Sequence, residues 1–153
     1  MNAYSQLLIY LKGLAEADEF INTVTNSDGD DIDLFKGNIY PLCNIFIESA
    51  SFSTGQMITF DVQIACVSGR DTNKEIISDK FWKQDNEVDN LNEMLASLNK
   101  MYVKMMKDFQ DTNIRLEPSA TLDPLKEWNK NLLDGWLMTF TIEMPNTTLN
   151  ICV

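Results

Sequence analysis

The stretch VDNLNEMLASLNKMYVKMMKDF, Val88 to Phe109, decides how this chain folds. Val88, Leu91, Leu95, Leu98, Tyr102, Met105 and Phe109 recur at alternating steps of three and four, which places all seven on one stripe of an α-helix. At 1.5 Å of rise per residue such a helix is roughly 33 Å long, enough to cross a small domain. Asp85 or Asn86 is placed to cap its start, where side-chain oxygens satisfy orphan N–H groups. Glu87, Asp89 and Glu93 come early and Lys100, Lys104 and Lys107 late, the order that the helix dipole favours. Met94, Met101 and Met106 widen the apolar stripe. Two readings of that width stand: the helix is covered on more than one side, or a neighbouring subunit packs against it.

The apolar stripe needs a cover, and the flanking sequence supplies strands. Before the helix, Ile39 to Glu48 carries Ile39, Cys43, Ile45 and Ile47 on one face and Tyr40, Leu42 and Phe46 on the other. That predicts a strand buried on both sides or engaged in a subunit contact. Ser49 to Gln56, small and polar and ending near Gly55, reads as a hairpin loop. From Met57 to Val67 the alternation is strict: Ile58, Phe60, Val62, Ile64 and Cys66 against Thr59, Asp61 and Gln63, a half-buried antiparallel strand. After the helix, Ile114, Leu116 and Pro118 predict a short strand, and Leu122 to Trp128 a loop or helical turn around Pro124. Asp134-Gly135 then reads as a turn that opens a second clean strand, in which Trp136, Met138, Phe140, Ile142 and Met144 alternate with Leu137, Thr139, Thr141 and Glu143. At the N-terminus, Tyr4, Leu7, Leu8, Leu11, Leu14 and Ala15 repeat with helical period. Phe20, Ile21 and Val24 continue that helix or begin a short strand. The sum is an α+β fold: a small antiparallel β-sheet packed against a long α-helix and an N-terminal helix, in one domain over residues 1–153.

Composition narrows the chemistry. With 44% hydrophobic residues the chain has a core to build. Its net charge is -11, with 23 acidic against 12 basic side chains, which repels phosphates and argues against sequence-specific DNA binding. There is no histidine, so Ser-His-Asp and Cys-His catalysis are excluded. Cys43, Cys66 and Cys152 are scattered and odd in number, which points to a reducing compartment. Cys43 and Cys66 fall in strand patterns, where thiols act as small hydrophobes. No apolar run reaches the ~20 residues of a membrane span.

Candidate sites are few. Asn26, Asp28, Asp30, Asp31 and Asp33 surround Gly29, but an EF-hand register would put Val24 and Phe35 where the first and last ligands belong, so the segment reads as a solvated turn. Glu48, Asp61 and Glu143 lie on strands without the helpers an active site needs. No catalytic, cofactor or metal residues are assigned, and no enzyme activity is expected. The best contact candidate is the long, charged connection from Ser68 to Gln84, within which Arg70, Lys74, Ile76, Ile77, Phe81 and Trp82 form the candidate interface set. Phe81 and Trp82 either anchor a partner or tuck back onto the sheet.

Several stretches resemble the tail terminator and head-to-tail joining proteins of tailed bacteriophages: Tyr40-Pro41-Leu42-Cys43-Asn44-Ile45 for a first sheet strand, residues 58–67 for its hairpin partner, the helix from Val88, and Leu132-Leu133-Asp134-Gly135-Trp136-Leu137-Met138-Thr139-Phe140 for a late "Gly-Trp" strand. Among these, neck-ring proteins of crAss-like phages are the most similar in character. The resemblance covers about residues 1–145 and brings no active-site residues. It implies a virion protein assembled in the host cytoplasm: a homo-oligomeric ring of six or twelve copies between capsid and tail. Such a ring would touch portal, neck or tail-tube proteins and pass DNA through its lumen without specific binding. The rival reading is a cytoplasmic binding module or assembly chaperone that grips its partner through Phe81 and Trp82.

Overall fold

A computed structural model describes residues 2–27, 40–70, 86–128 and 133–146. The element order is α1 (Ala3–Glu16), β1 (Thr23–Thr25), β2 (Leu42–Ser53), β3 (Met57–Gly69), α2 (Glu87–Phe109), β4 (Arg115–Leu116), β5 (Thr121–Trp128) and β6 (Leu133–Pro145). The fold is α+β, with six strands in one sheet ordered β1-β2-β3-β6-β4, and β5 pairing β6 alongside β4. The sheet is larger than the sequence pattern implies, and one pair, β1 with β2, is parallel.

β3 is the spine. It pairs antiparallel with β2 on one side, from Met57 to Val67, and with β6 along its whole length on the other. Phe60, Val62, Ile64 and Cys66 point to one face, where they join Cys43 and Ile45 of β2 and Met138, Phe140, Ile142 and Met144 of β6. Both helices close this face: Ala3, Leu7, Leu11 and Ala15 come from α1, and Met94, Leu98, Met101 and Met105 from α2. Where the helices meet, Tyr10 stacks obliquely on Phe109 at 4.9 Å and donates a hydrogen bond from its hydroxyl to Asp108 Oδ2 at 2.7 Å. Asn2 caps α1 through its side-chain oxygen, which accepts from Ser5 N.

The helix over 88–109 forms, but its buried stripe is rotated from the predicted one. Met94, Leu98, Met101 and Met105 lie at its centre, while Leu91, Leu95 and Tyr102 are half-buried on the flank towards β5. Long, unbranched Met side chains fill an uneven sheet surface more readily than Leu. Of the widening methionines, Met94 and Met101 are therefore core, and Met106 is exposed. Asn86 occupies the cap position without a side-chain capping bond, and Asp85 lies outside the described residues.

Three segments differ from their sequence reading. Ser49–Ser53 is the distal half of β2 rather than loop; a bulge at Glu48 shifts the register, and the turn is confined to residues 54–56, where Gly55 and Gln56 take positive φ. Residues 121–128 form strand β5 rather than a helical turn, since Pro124 needs no ladder N–H on an edge strand. Asp134 and Gly135 lie inside β6, opposite Ser68 and Val67. Gly135 is required there by close approach: a Cβ would collide with the Cys66 carbonyl oxygen and come within 2.8 Å of Val67 Cα. On the opposite face of the sheet, Leu42, Val67 and Leu133 form a second, smaller cluster with Tyr40 and Leu125.

Backbone atoms of β3 cannot yield as a flexible side chain would, so Gly135→Ala is expected to lower stability by about 3 kcal/mol, at the upper end for overpacking. Urea denaturation measures it, and an unchanged midpoint would contradict the tight β3–β6 approach.

Candidate subunit-contact surfaces

The sequence placed partner contacts on the connection after β3. Arg70, the first of that set, closes β3 and turns inward: its side chain is 4% exposed. Its guanidinium clamps Asp134 with two bonds, Nε to Oδ2 at 2.9 Å and Nη2 to Oδ1 at 2.8 Å, and reaches Glu87 Oε2 at 3.0 Å. Lys126 Nζ of β5 meets the other Glu87 oxygen at 3.0 Å. Asn90, one turn further along α2, donates to Gly69 O. Four elements are thus tied at one end of the sheet: β3, the α2 N-terminus, β5 and β6. Arg70 therefore works as an internal clamp, because its planar fork matches a buried carboxylate. The remaining candidates, Lys74, Ile76, Ile77, Phe81 and Trp82, lie outside the described residues, as do Asp28, Asp30, Asp31 and Asp33 of the acidic turn.

The strand carboxylates are spread along the face of the sheet away from the helices. Asp61 Oδ2 accepts from Ser49 Oγ at 2.7 Å and Oδ1 from Thr141 Oγ1 at 2.8 Å. These two bonds, the Ser49 bond first, hold its carboxyl below the usual carboxylate value. Glu48 accepts from Gln63, and Glu143 from Ser53. Each acid answers a hydroxyl or amide rather than another acid, which is the pattern of a solvated strand face. Among the described residues, no three His, Cys, Asp or Glu side chains are grouped to hold a metal ion.

Among the described residues large apolar side chains are exposed at several places, α1 included, and two of these places lie on the sheet's flanks. The first is a groove of about 510 Å³ between α2 and β5, lined by Leu95, Ala96, Tyr102, Ala120, Leu122 and Met138. Trp136 braces α2 beside it, donating from Nε1 to Leu91 O at 2.9 Å, and Tyr102 donates to Glu117 O at 3.0 Å. Leu122 is 41% exposed. The second is the distal half of β2. β1 covers only Leu42 to Asn44, and among the described residues no strand pairs with that edge from Ile45 onward. Phe52, near the hairpin tip, is 82% exposed. The sequence reading missed both surfaces because it placed Leu122 and Phe52 in loops. The alternation of Ser49, Ser51 and Ser53 with Ala50 and Phe52 was the available signal, weakened by the low strand propensity of small residues.

Two outcomes follow. Asp134→Ala leaves the Arg70 guanidinium buried without its forked carboxylate contact, and is expected to cost about 3–5 kcal/mol in chemical denaturation; a loss below 1 kcal/mol would mean that the clamp is solvated. Asp61, with its carboxyl depressed in the folded state, adds stability that is present above its unfolded value and lost as pH falls through its folded one. The advantage of the native chain over Asp61→Asn should therefore be full at neutral pH and shrink below about 3.8, the ordinary carboxyl value, in parallel denaturation curves.

No protein-family model and no curated protein matches this chain.

Proposed function

We propose that this chain is a virion structural protein, a ring-forming subunit of tail terminator or neck type at the junction of phage head and tail. The observation that carries the reading is the pair of unlike apolar surfaces, the α2–β5 groove and the open β2 edge with Phe52. A head-to-tail contact needs two different surfaces on one molecule, and repetition of such a contact closes a ring when the rotation permits. The α+β architecture, one sheet with both helices on the same face, is compatible with the fold that the tail terminator resemblance implies. Charge supports the same reading. At -11 per copy, a ring of six or twelve subunits is strongly anionic, and a like-charged lumen keeps DNA moving rather than bound. Portal, neck or tail-tube proteins would be the neighbours.

Native mass spectrometry and negative-stain microscopy of the purified chain test the proposal. Closed rings are expected, and each of Phe52→Glu and Leu122→Glu should weaken assembly by about 1–3 kcal/mol per contact, a tenfold or greater rise in the concentration needed. A chain that stays monomeric at high concentration and is missing from purified particles would defeat it.

A further inference from the structure

Cys43 and Cys66 are register partners: they sit directly opposite each other on β2 and β3. Both are free and 0% exposed. The neighbouring Cys43 thiol, and after it burial, push the Cys66 thiol well above its ordinary value. Opposite residues of an antiparallel pair have Cβ atoms about 4.5–5.5 Å apart. A disulfide needs about 3.5–4.5 Å. The two ranges meet at about 4.5 Å and their centres differ by about 1 Å, so a small closure of the strands joins the two sulfurs.

We propose that Cys43 and Cys66 form a reversible cross-strand disulfide, a covalent modification site inside the core that links the two strands of the β2–β3 hairpin when the chain meets a low-molecular-weight disulfide oxidant. The inference is independent of the ring reading and goes beyond it. One cysteine, as its thiolate, attacks the oxidant's S–S bond and expels one thiolate, leaving a mixed disulfide. The second cysteine thiolate attacks the protein-bound sulfur of that bond and expels the other. Two electrons pass from the cysteine pair to the oxidant, and the two protons leave with its two thiols. Burial makes the attacking thiolate scarce, so the native chain reacts slowly, through local opening of the hairpin and its α1–β1 cover. A thiol reductant reopens the bond by the same exchange run in reverse.

The probe is oxidised glutathione, applied to the full chain carrying Cys152→Ser so that the third thiol cannot scramble the product. One sample is treated while folded and one during refolding from urea. Peptide mapping and thiol titration are expected to show Cys43 joined to Cys66 with the loss of two hydrogens. Near-UV circular dichroism should stay native, the urea midpoint should rise, and dithiothreitol should reverse all of it; the product by either route supports the proposal. A Cys43→Ser control should give no internal link. Absence of the link by both routes, mixed glutathione adducts only, or a link found only in a chain without native circular dichroism would overturn it.

Discussion

Burying one side of β3 is the constraint that the rest of the molecule obeys. Phe60, Val62, Ile64 and Cys66 leave water together, and each large side chain so buried contributes on the order of 1.5–3 kcal/mol. The gain requires both neighbours of β3 to present matching side chains on the same face and something apolar to lie across them. β2 and β6 meet the first requirement through antiparallel pairing on either side of Met57 to Val67, so that Cys43, Ile45, Met138, Phe140 and Ile142 fall on the shared face. α1 and α2 meet the second. The choice of Met94, Met101 and Met105 at the contact follows from the unevenness of a sheet surface built from residues as different as Phe60 and Cys66.

The charged end of the sheet follows a different logic. Arg70, Glu87 and Asp134 are almost fully removed from water, where ion pairs offset their desolvation only with close geometry and full hydrogen bonding. The forked Arg70–Asp134 contact has that geometry. It ties the residue that follows β3 to the start of β6 and brings the first turn of α2 alongside. Asp134 and Gly135 act as a unit here: the acid receives Arg70, and the missing side chain of the glycine lets β6 approach β3 closely enough for it to do so.

Outside the core the two ends of the sheet differ in what they offer. The clamped end is closed by charge. The hairpin end extends beyond the helices and displays Phe52, small hydroxyl residues and an open strand edge, which natural proteins usually blunt or cover. The bulge at Glu48 is one such device, but among the described residues Ser49–Ser53 pair with β3 alone. The α2–β5 groove lies on the far flank, beyond β6. The two surfaces therefore lie on opposite flanks of the sheet.

Much of this was determined by the chain itself. Period-two alternation from Met57 to Val67 and from Trp136 to Met144, and period 3.6 from Val88 to Phe109, mark elements whose buried faces are repeated often enough to be read locally. What only tertiary structure decided were the features in which a residue's role depends on one distant partner. Asp134-Gly135 has the composition of a turn, and becomes strand because Arg70 and the Cys66 carbonyl oxygen wait opposite. Pro124 has the composition of a loop, and becomes strand because β5 is an edge. The stripe of α2 rotated towards its methionines because the sheet, not the helix, set the shape to be filled. Cys43 and Cys66 are unremarkable in sequence and adjacent in space, since register is a property of the paired strands and of neither one alone.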